Sequence, residues 1–105
     1  MEYTKIPIVT TTVPIMRPGV RDASENVPVY FTIDLDCLDP SVFPGTGTPE
    51  AGGVSFMELL EAIKLVARTN VVGADVNELA PMLDNSGAST AVACKVLREL
   101  MLAML

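Results

Sequence analysis

Two aspartates placed two residues apart, Asp34 and Asp36, are the side chains of this sequence that point most directly to chemistry. They belong to the segment 29–36, in which apolar and polar residues alternate as they do in a β-strand. On a strand, residues at that spacing face the same side, so we expect their carboxylates to lie about 5–7 Å apart. At an effective dielectric constant of about 20, two such charges repel by about 3 kcal/mol. A metal ion, a nearby Lys or Arg side chain, or a shared proton should offset this repulsion.

Glu78 is a third carboxylate that this chemistry could include. It follows the apolar segment 71–76, which predicts a second strand covered on both faces. Ligands of open α/β sheets bind outside the carboxyl ends of the strands, so Asp34, Asp36 and Glu78 are expected to face one crevice. Carboxylate oxygens suit Mg²⁺ or Mn²⁺, and Glu78 could instead accept two hydrogen bonds from a guanidinium group. The alternative is that the aspartates are solvated on an exposed strand face and that Glu78 is a surface residue.

Asp39, which precedes Pro40, is predicted to form a turn rather than to bind a ligand. The loop at 41–53 is dense in Gly and Pro, but it is not a P-loop, because it does not lead from a strand into a helix with a following Lys-Ser/Thr pair. Cys37 is not expected to join the aspartates as a metal ligand, because on a strand it would point away from Asp36.

The elements that must position these residues alternate between strand and helix from Val29 onward. Strands are predicted at 29–36 and 71–76, and helices from Ser55 to about Asn70 and from about Ser89 to Met104. Ser55 and Glu58 have the spacing of a capping box. This order predicts an α/β fold with a parallel sheet, whereas residues 1–28 are expected to be an extended, Pro-rich segment and a loop. The residues expected to form the buried stripes of the helices are Phe56, Leu59, Leu60, Ile63 and Val66 in the first, and Ala93, Val96, Leu97, Leu100 and Met104 in the second.

Length and charge limit the classes of protein to consider. The chain has 105 residues, which is enough for one domain, and half of them are hydrophobic, which excludes a disordered composition. Thirteen acidic and seven basic residues give a net charge of −6, which argues against nucleic-acid binding. The same charge suits cation binding, although it could serve solubility alone. No apolar run is long enough to span a bilayer and the N-terminus lacks the features of a signal peptide, so we expect no membrane contact and a cytoplasmic location.

The segment TIDLDCLDPSVFPGTGTPEAGGVSFMELLEAI, followed by VVGADVNELAP, resembles the ureohydrolase superfamily of arginases and agmatinases. The resemblance runs from about Val29 to the C-terminus, corresponds to the C-terminal third of a family member, and leaves residues 1–28 poorly matched. The loop PGTGTPE is closer to the agmatinase branch, since arginases usually have Ala at the position of Gly45.

The resemblance implies an arginase-like fold in which this chain is part of a three-layer αβα parallel sheet. It also implies a manganese-dependent hydrolase that cleaves a guanidino C–N bond and releases urea, as in the conversion of agmatine to putrescine, with two Mn²⁺ ions activating water. The positions that match the family motif are Asp34 and Asp36 as metal ligands, Glu78 as the acid that orients the guanidinium, Thr46 and Gly47 as part of a substrate loop, and Asp39 as a turn residue.

Histidine is where the sequence departs from this family. The other metal ligands of the family include histidines of a segment that has no counterpart here, and this chain contains no histidine. The chain alone is therefore expected to be inactive, and it could be a non-catalytic α/β fragment or a subunit with at most a weak divalent-cation site. The expected partners are a small guanidino substrate and either a second copy of the chain or a histidine-bearing N-terminal portion.

Overall fold

The computed structural model describes residues 27–105. Strand β1 (Val29–Asp34) is followed by a 3-10 turn (Leu35–Cys37), helix α1 (Phe56–Val66), strand β2 (Val71–Asn77), a second 3-10 turn (Pro81–Leu83) and helix α2 (Ala88–Ala103). The predicted order of strand, helix, strand and helix is confirmed. Residues 1–28 are expected to be an extended segment and a loop. Almost all of them, residues 1–26, lie outside the described residues.

The two strands pair in parallel, as predicted. Thr32 aligns with Asp75 and Asp34 aligns with Asn77, so both strands end at the same edge of the sheet. The connection between them contains α1, which is the form that a crossover between parallel strands usually takes. The parallel pairing is what brings the residue after β2 next to the end of β1.

One face of β1 forms the centre of the core. Val29, Phe31 and Ile33 are fully buried, and Leu35 continues the pattern into the 3-10 turn. Both helices pack apolar side chains into the same cluster as Phe31, Ile33 and Leu35. The described residues therefore supply a sheet and the helical layer on one of its faces.

Helix α1 begins where the sequence predicts. The backbone N–H of Glu58 donates to Ser55 Oγ at 3.1 Å, and the backbone N–H of Ser55 donates to Glu58 Oε1 at 2.8 Å. This reciprocal pair satisfies two N–H groups that the first turn of a helix leaves free. Leu59, Leu60, Ile63 and Val66 are buried as expected, and Phe56 is partly buried.

The ends of two elements differ from the prediction. β1 ends at Asp34 rather than at Asp36, because the Asp34 side chain accepts the backbone N–H of Asp36 and starts the 3-10 turn. α1 ends at Val66 rather than near Asn70. Just after this end, the Thr69 hydroxyl donates to the Val66 carbonyl oxygen at 2.6 Å. At the end of β1 a side chain thus takes up a backbone N–H, whereas after α1 the backbone N–H groups of Arg68 and Thr69 bond the carbonyl oxygens three residues earlier.

Two expectations about burial are wrong for the described residues. β2 is not covered on both faces, since Val72 is 64% exposed. In α2, Val96 and Leu100 are buried, but Leu97 is 47% exposed, and Met104, which directly follows α2, is 38% exposed. The core meets a narrower strip of α2 than the apolar residues of the helix suggest. Neither helix between residues 27 and 105 combines the length and the hydrophobicity that a membrane span needs.

Candidate metal centre

Three carboxylates meet at the edge of the sheet where β1 and β2 end. Asp34 is the last residue of β1, Asp36 lies in the 3-10 turn, and Glu78 directly follows β2. One oxygen from each lies within 4.8 Å of the others. Asp34 and Asp36 are partly buried and Glu78 is exposed. We call these three residues the carboxylate cluster. The structure brings together the three acidic residues that the sequence indicates.

The way in which the two aspartates approach each other differs from the prediction. Asp36 is not on a strand, so the alternation of strand faces does not place its side chain. The backbone N–H of Asp36 donates to Asp34 Oδ1 at 3.1 Å, and this bond folds the chain so that both carboxylates reach the cluster. The aspartates therefore share one side through a turn rather than through strand pleating.

The cluster concentrates negative charge. Burial of the Asp34 carboxyl, together with a hydrogen bond to the Asp36 side chain, raises the pKa of Asp34 to about 6. The charges of Asp36 and Glu78 raise this pKa further, and the bond from the Asp36 backbone opposes them. Within residues 27–105, no Lys or Arg side chain forms an ion pair with these carboxylates. A divalent cation would offset the repulsion directly.

Glu78 has a left-handed backbone conformation, with φ of 82°, that residues other than glycine rarely adopt. Such a conformation costs about 1–2 kcal/mol. It places a carboxylate at the edge where the two strands end, next to Asp34 and Asp36. Backbone strain of this kind is concentrated at functional sites, where the surrounding structure holds it in place.

Thr48, which the sequence analysis did not single out, is joined to the cluster by its hydroxyl group. Thr48 Oγ1 donates to Asp36 Oδ2 at 2.7 Å. Since Oδ2 has this partner, the rotation of the Asp36 carboxylate is constrained. The sequence predicts that Thr46 and Gly47 belong to a substrate loop, and Thr48, two residues after Thr46, connects this loop to the cluster through its bond to Asp36.

Thr46 and Gly47 occupy different environments. Thr46 is 2% exposed, and its Oγ1 has no hydrogen-bond partner among the described residues. Gly47 is exposed, and a Cβ atom at this position would meet no atom within 4 Å. The side chain of Thr46 is thus packed inside, whereas Gly47 leaves the backbone of the loop open to solvent. Their role as a substrate loop stays a prediction.

Asp39 closes the ends of the loop that separates β1 from α1. Asp39 Oδ1 accepts the backbone N–H groups of Gly52 at 2.9 Å and Gly53 at 3.2 Å. Asp39 Oδ2 accepts the Ser41 hydroxyl and the Ser41 backbone N–H. The bonds from Ser41, followed by those from the glycines, lower the pKa of Asp39 to about 2. Its oxygens are therefore used within the turn, as expected of a turn former, and Asp39 is not part of the carboxylate cluster.

The donor set of the cluster fits a divalent cation. Carboxylate oxygens are the ligands that Mg²⁺ and Mn²⁺ prefer, and three of them supply about half of an octahedral shell. The thiol of Cys37 is buried, and burial, followed by the charges of Asp34 and Asp36, raises its pKa to about 12. A protonated thiol is a poor metal ligand.

Comparison with protein families gives a match over nearly the whole chain. A family model described as "Arginase family" matches residues 9–103, and this range begins inside the segment that the sequence resemblance left unmatched. An agmatinase of Bacillus anthracis is 51% identical over 80 residues, which are 74% of this chain and 28% of that protein. An agmatinase of Halalkalibacterium halodurans is 54% identical over 76 residues, which are 70% of this chain and 26% of that protein.

Solved structures of an amidino hydrolase and of an arginase have a fold similar to that of this chain. Proclavaminate amidino hydrolase from Streptomyces clavuligerus superimposes with a TM-score of 0.69 at 38% identity, over 73% of this chain and 26% of that chain. Arginase from Bacillus subtilis superimposes with a TM-score of 0.65 at 32% identity, over 70% of this chain and 27% of that chain. The chain thus spans about a quarter of the length of the proteins it matches.

Proposed function

Because this chain belongs to the arginase family, we propose that it carries one half of the metal centre of a ureohydrolase that cleaves a guanidino C–N bond. The observation that carries this proposal is the grouping of Asp34, Asp36 and Glu78 within 4.8 Å at the carboxyl ends of two parallel strands. Agmatine, hydrolysed to putrescine and urea, is the substrate that we propose, because relatives about half identical to this chain are named agmatinases.

Asp34 and Asp36 are the proposed metal ligands, and Mn²⁺ is the proposed ion. Both carboxylates are partly buried, so a bound cation would be shielded from bulk water on their side. The Thr48 hydroxyl bonds Oδ2 of Asp36, and the proposed cation would be coordinated by the other oxygen of this carboxylate. When bound, a pair of such ions activates water as a nucleophile near neutral pH.

Glu78 is the proposed partner of the substrate. Its carboxylate is the exposed member of the cluster, so a ligand that arrives from solvent meets it first. A guanidinium group presents parallel N–H donors that match the two oxygens of a carboxylate, and this pairing fixes the plane of the guanidinium. Thr46 and Gly47 are proposed to belong to the loop at the rim of the same site, and Asp39 is proposed to hold the base of that loop.

The proposed activity is that of the complete site, of which this chain supplies one part. The chain contains no histidine, and its carboxylates provide too few ligands for two ions. We therefore propose that the chain alone does not hydrolyse agmatine, and that a histidine-bearing portion completes the centre. The absence of histidine favours one alternative, a non-catalytic α/β fragment that binds a divalent cation weakly.

Reconstitution of the site tests this proposal. The chain is mixed, with Mn²⁺ and agmatine present, with an N-terminal portion of an agmatinase relative that carries an Asp-x-His-x-Asp segment. We expect urea to be released by the mixture and by neither part alone. Glu78→Gln should lower kcat/KM of the mixture by about 10- to 100-fold, because a charged two-point hydrogen bond is lost. Glu61→Gln, which changes an exposed residue of α1, is the control.

Two results would contradict the proposal. Urea release by the chain alone would show that it does not need a second portion. A complex that forms in the mixture but releases no urea from agmatine would contradict agmatine as the substrate, and no urea from arginine or guanidinobutyrate either would leave only the non-catalytic alternative.

A further inference from the structure

Ser89 connects two parts of the chain that are distant in sequence. It lies in the first turn of α2 and is fully buried. Its Oγ accepts the backbone N–H of Gly45 at 2.8 Å and donates to Asp84 Oδ2 at 2.6 Å. A helix-capping role would require only bonds near the start of α2, so capping does not account for the bond to Gly45, which is 44 residues away.

Asp84 holds Ser89 in place from the side of the helix. Its Oδ2 accepts both the hydroxyl and the backbone N–H of Ser89, and its Oδ1 accepts the hydroxyl and the backbone N–H of Ser86. The bonds from Ser86, followed by those from Ser89, keep the pKa of Asp84 well below its usual range. The Ser89 hydroxyl donates its hydrogen bond to Asp84, so a lone pair of its oxygen is left to accept a hydrogen bond from another donor. That donor is the backbone N–H of Gly45.

Gly45 is held on both sides of its backbone. Its N–H donates to Ser89 Oγ at 2.8 Å, and its carbonyl oxygen accepts the backbone N–H of Ala80 at 2.7 Å. Ala80 lies two residues after Glu78. The packing is tight, because a Cβ atom on Gly45 would lie 2.7 Å from Ser89 Cβ and 3.1 Å from Asp84 Cβ. We call Asp84, Ser89, Gly45 and Ala80 the loop clamp.

The clamp is connected to the carboxylate cluster on two routes. The loop runs from Gly45 to Thr48, whose hydroxyl donates to Asp36 Oδ2 at 2.7 Å. The bond to Ala80 joins the same loop to the segment that carries Glu78. A shift of the loop at Gly45 would therefore be transmitted to both the aspartate turn and the residue after β2.

We propose that Ser89, oriented by Asp84, is a positioning residue that fixes the loop 45–48 and thereby the orientation of the Asp36 carboxylate. Its effect on a cation rests on the proposed function, whereas its effect on the loop does not. When a residue that orients a metal-ligating side chain through a hydrogen bond is removed, the metal affinity commonly falls by about 10- to 100-fold.

Amide hydrogen exchange and side-chain carboxyl ¹³C shifts of the full chain, without metal, test the positioning role. In Ser89→Ala we expect exchange at Gly45 and Ala80 to be about tenfold faster, because a buried hydrogen bond is lost. The Asp36 carboxyl resonance should move in the same variant. Ser86→Ala is the matched control, since the Ser86 hydroxyl also bonds Asp84 but is not bonded to Gly45. The amides of α1 report whether the variant stays folded.

A second pair of variants interrupts the connection at its exposed end, where folding is not at risk. Thr48→Val removes the hydroxyl that bonds Asp36, and Thr48→Ser keeps it. We expect Thr48→Val to move the Asp36 carboxyl resonance and to weaken Mn²⁺ binding about tenfold, and Thr48→Ser to retain both properties. Ser89→Ala should weaken Mn²⁺ binding in the same direction.

The outcomes separate this inference from the proposed function. If Ser89→Ala leaves the exchange at Gly45 and the Asp36 resonance as in the wild type, the inference is wrong, whatever the metal does. If Mn²⁺ binding falls in Asp34→Asn but is unchanged in Ser89→Ala and Thr48→Val, the proposed site stands and the inference fails. If no variant affects Mn²⁺ but the loop and the Asp36 resonance respond to Ser89→Ala, the positioning role stands and the metal assignment fails.

Discussion

Residues with carboxylates near the end of the sheet differ in what surrounds their oxygens. Asp39 and Asp75 have theirs occupied by hydrogen bonds, and those bonds lower the pKa of both groups. In the carboxylate cluster, Asp34 and Asp36 each have one oxygen in a hydrogen bond, and one oxygen from each of the three residues lies within 4.8 Å of the others. Burial raises the pKa of Asp34 to about 6. Acidic residues used for structure and acidic residues available for a cation can therefore be distinguished by their partners, which residue type alone does not reveal.

The low pKa of Asp39 predicts a pH dependence of stability. Since its pKa is lowered from 3.8 to about 2 on folding, its ionised form stabilises the fold above pH 3.8. This contribution is lost as the pH falls towards 2. The difference in unfolding midpoint between wild type and Asp39→Asn should therefore narrow over this range, as measured by urea denaturation. Glu61→Gln is the control, and a difference that stays constant with pH would contradict the account.

Single positions were predictable where one local interaction decides the structure. Ser55 and Glu58 were identified by spacing alone, because a capping box involves residues of one helical turn. Thr48 and Ser89 were not identified, because their partners, Asp36 and Gly45, are 12 and 44 residues away. The sequence has no local signal for such bonds.

At the level of elements, the loop between β1 and α1 is held at its base. Leu38 and Val54 form a parallel bridge, and the Val54 N–H donates to the Cys37 carbonyl oxygen at 2.9 Å. Gly53 lies inside this base, where a Cβ atom would be 2.5 Å from Asp39 N and from Cys37 O. The backbone segments can approach this closely only because Gly53 has no side chain.

This close approach predicts different effects for two glycines of the same loop. Gly53→Ala should lower the free energy of unfolding by about 1–3 kcal/mol, because the added methyl group overlaps backbone atoms that cannot move independently. Gly47→Ala should change it by about 0.5 kcal/mol or less, because a Cβ there meets no atom within 4 Å. Denaturant unfolding of both variants measures the difference, and equal losses would mean that the loop base is not packed as described.

Element boundaries were predicted less well than element types for a physical reason. The alternation of residues 29–36 continues past Asp34, but the side chain of Asp34 competes for the Asp36 N–H and ends the strand. The apolar stripe of α2 likewise does not indicate how much of the helix is covered, since coverage depends on what packs against it. Periodicity shows which face can be buried, and the neighbouring elements determine how much of it is buried.

At the scale of the whole molecule, the described residues leave apolar surface uncovered. Val72 on the sheet is 64% exposed, and Met101 and Leu102 on α2 are 60% and 56% exposed. Of the described strands, β1 and β2 pair with each other, so each has an edge with no partner among residues 27–105. Exposed strand edges and apolar patches favour association with other chains.

We therefore expect the purified chain to self-associate. Sedimentation velocity should show species larger than a monomer, with a fraction that grows with concentration. Val72→Lys should reduce this fraction, because a charge on the exposed face of β2 opposes pairing. Arg68→Lys, which keeps the charge of an exposed residue, is the control. A monodisperse monomer over the whole concentration range would contradict this expectation.

Isothermal titration of Mn²⁺ into the full chain tests the central claim most directly, namely that the carboxylate cluster holds a divalent cation. We expect binding to the wild type, loss of that binding in Asp34→Asn combined with Asp36→Asn, and unchanged binding in Asp75→Asn combined with Glu61→Gln, which removes the same number of charges. Equal Mn²⁺ affinity in the two double variants would contradict the account, because general electrostatic attraction to an acidic protein would then explain the binding.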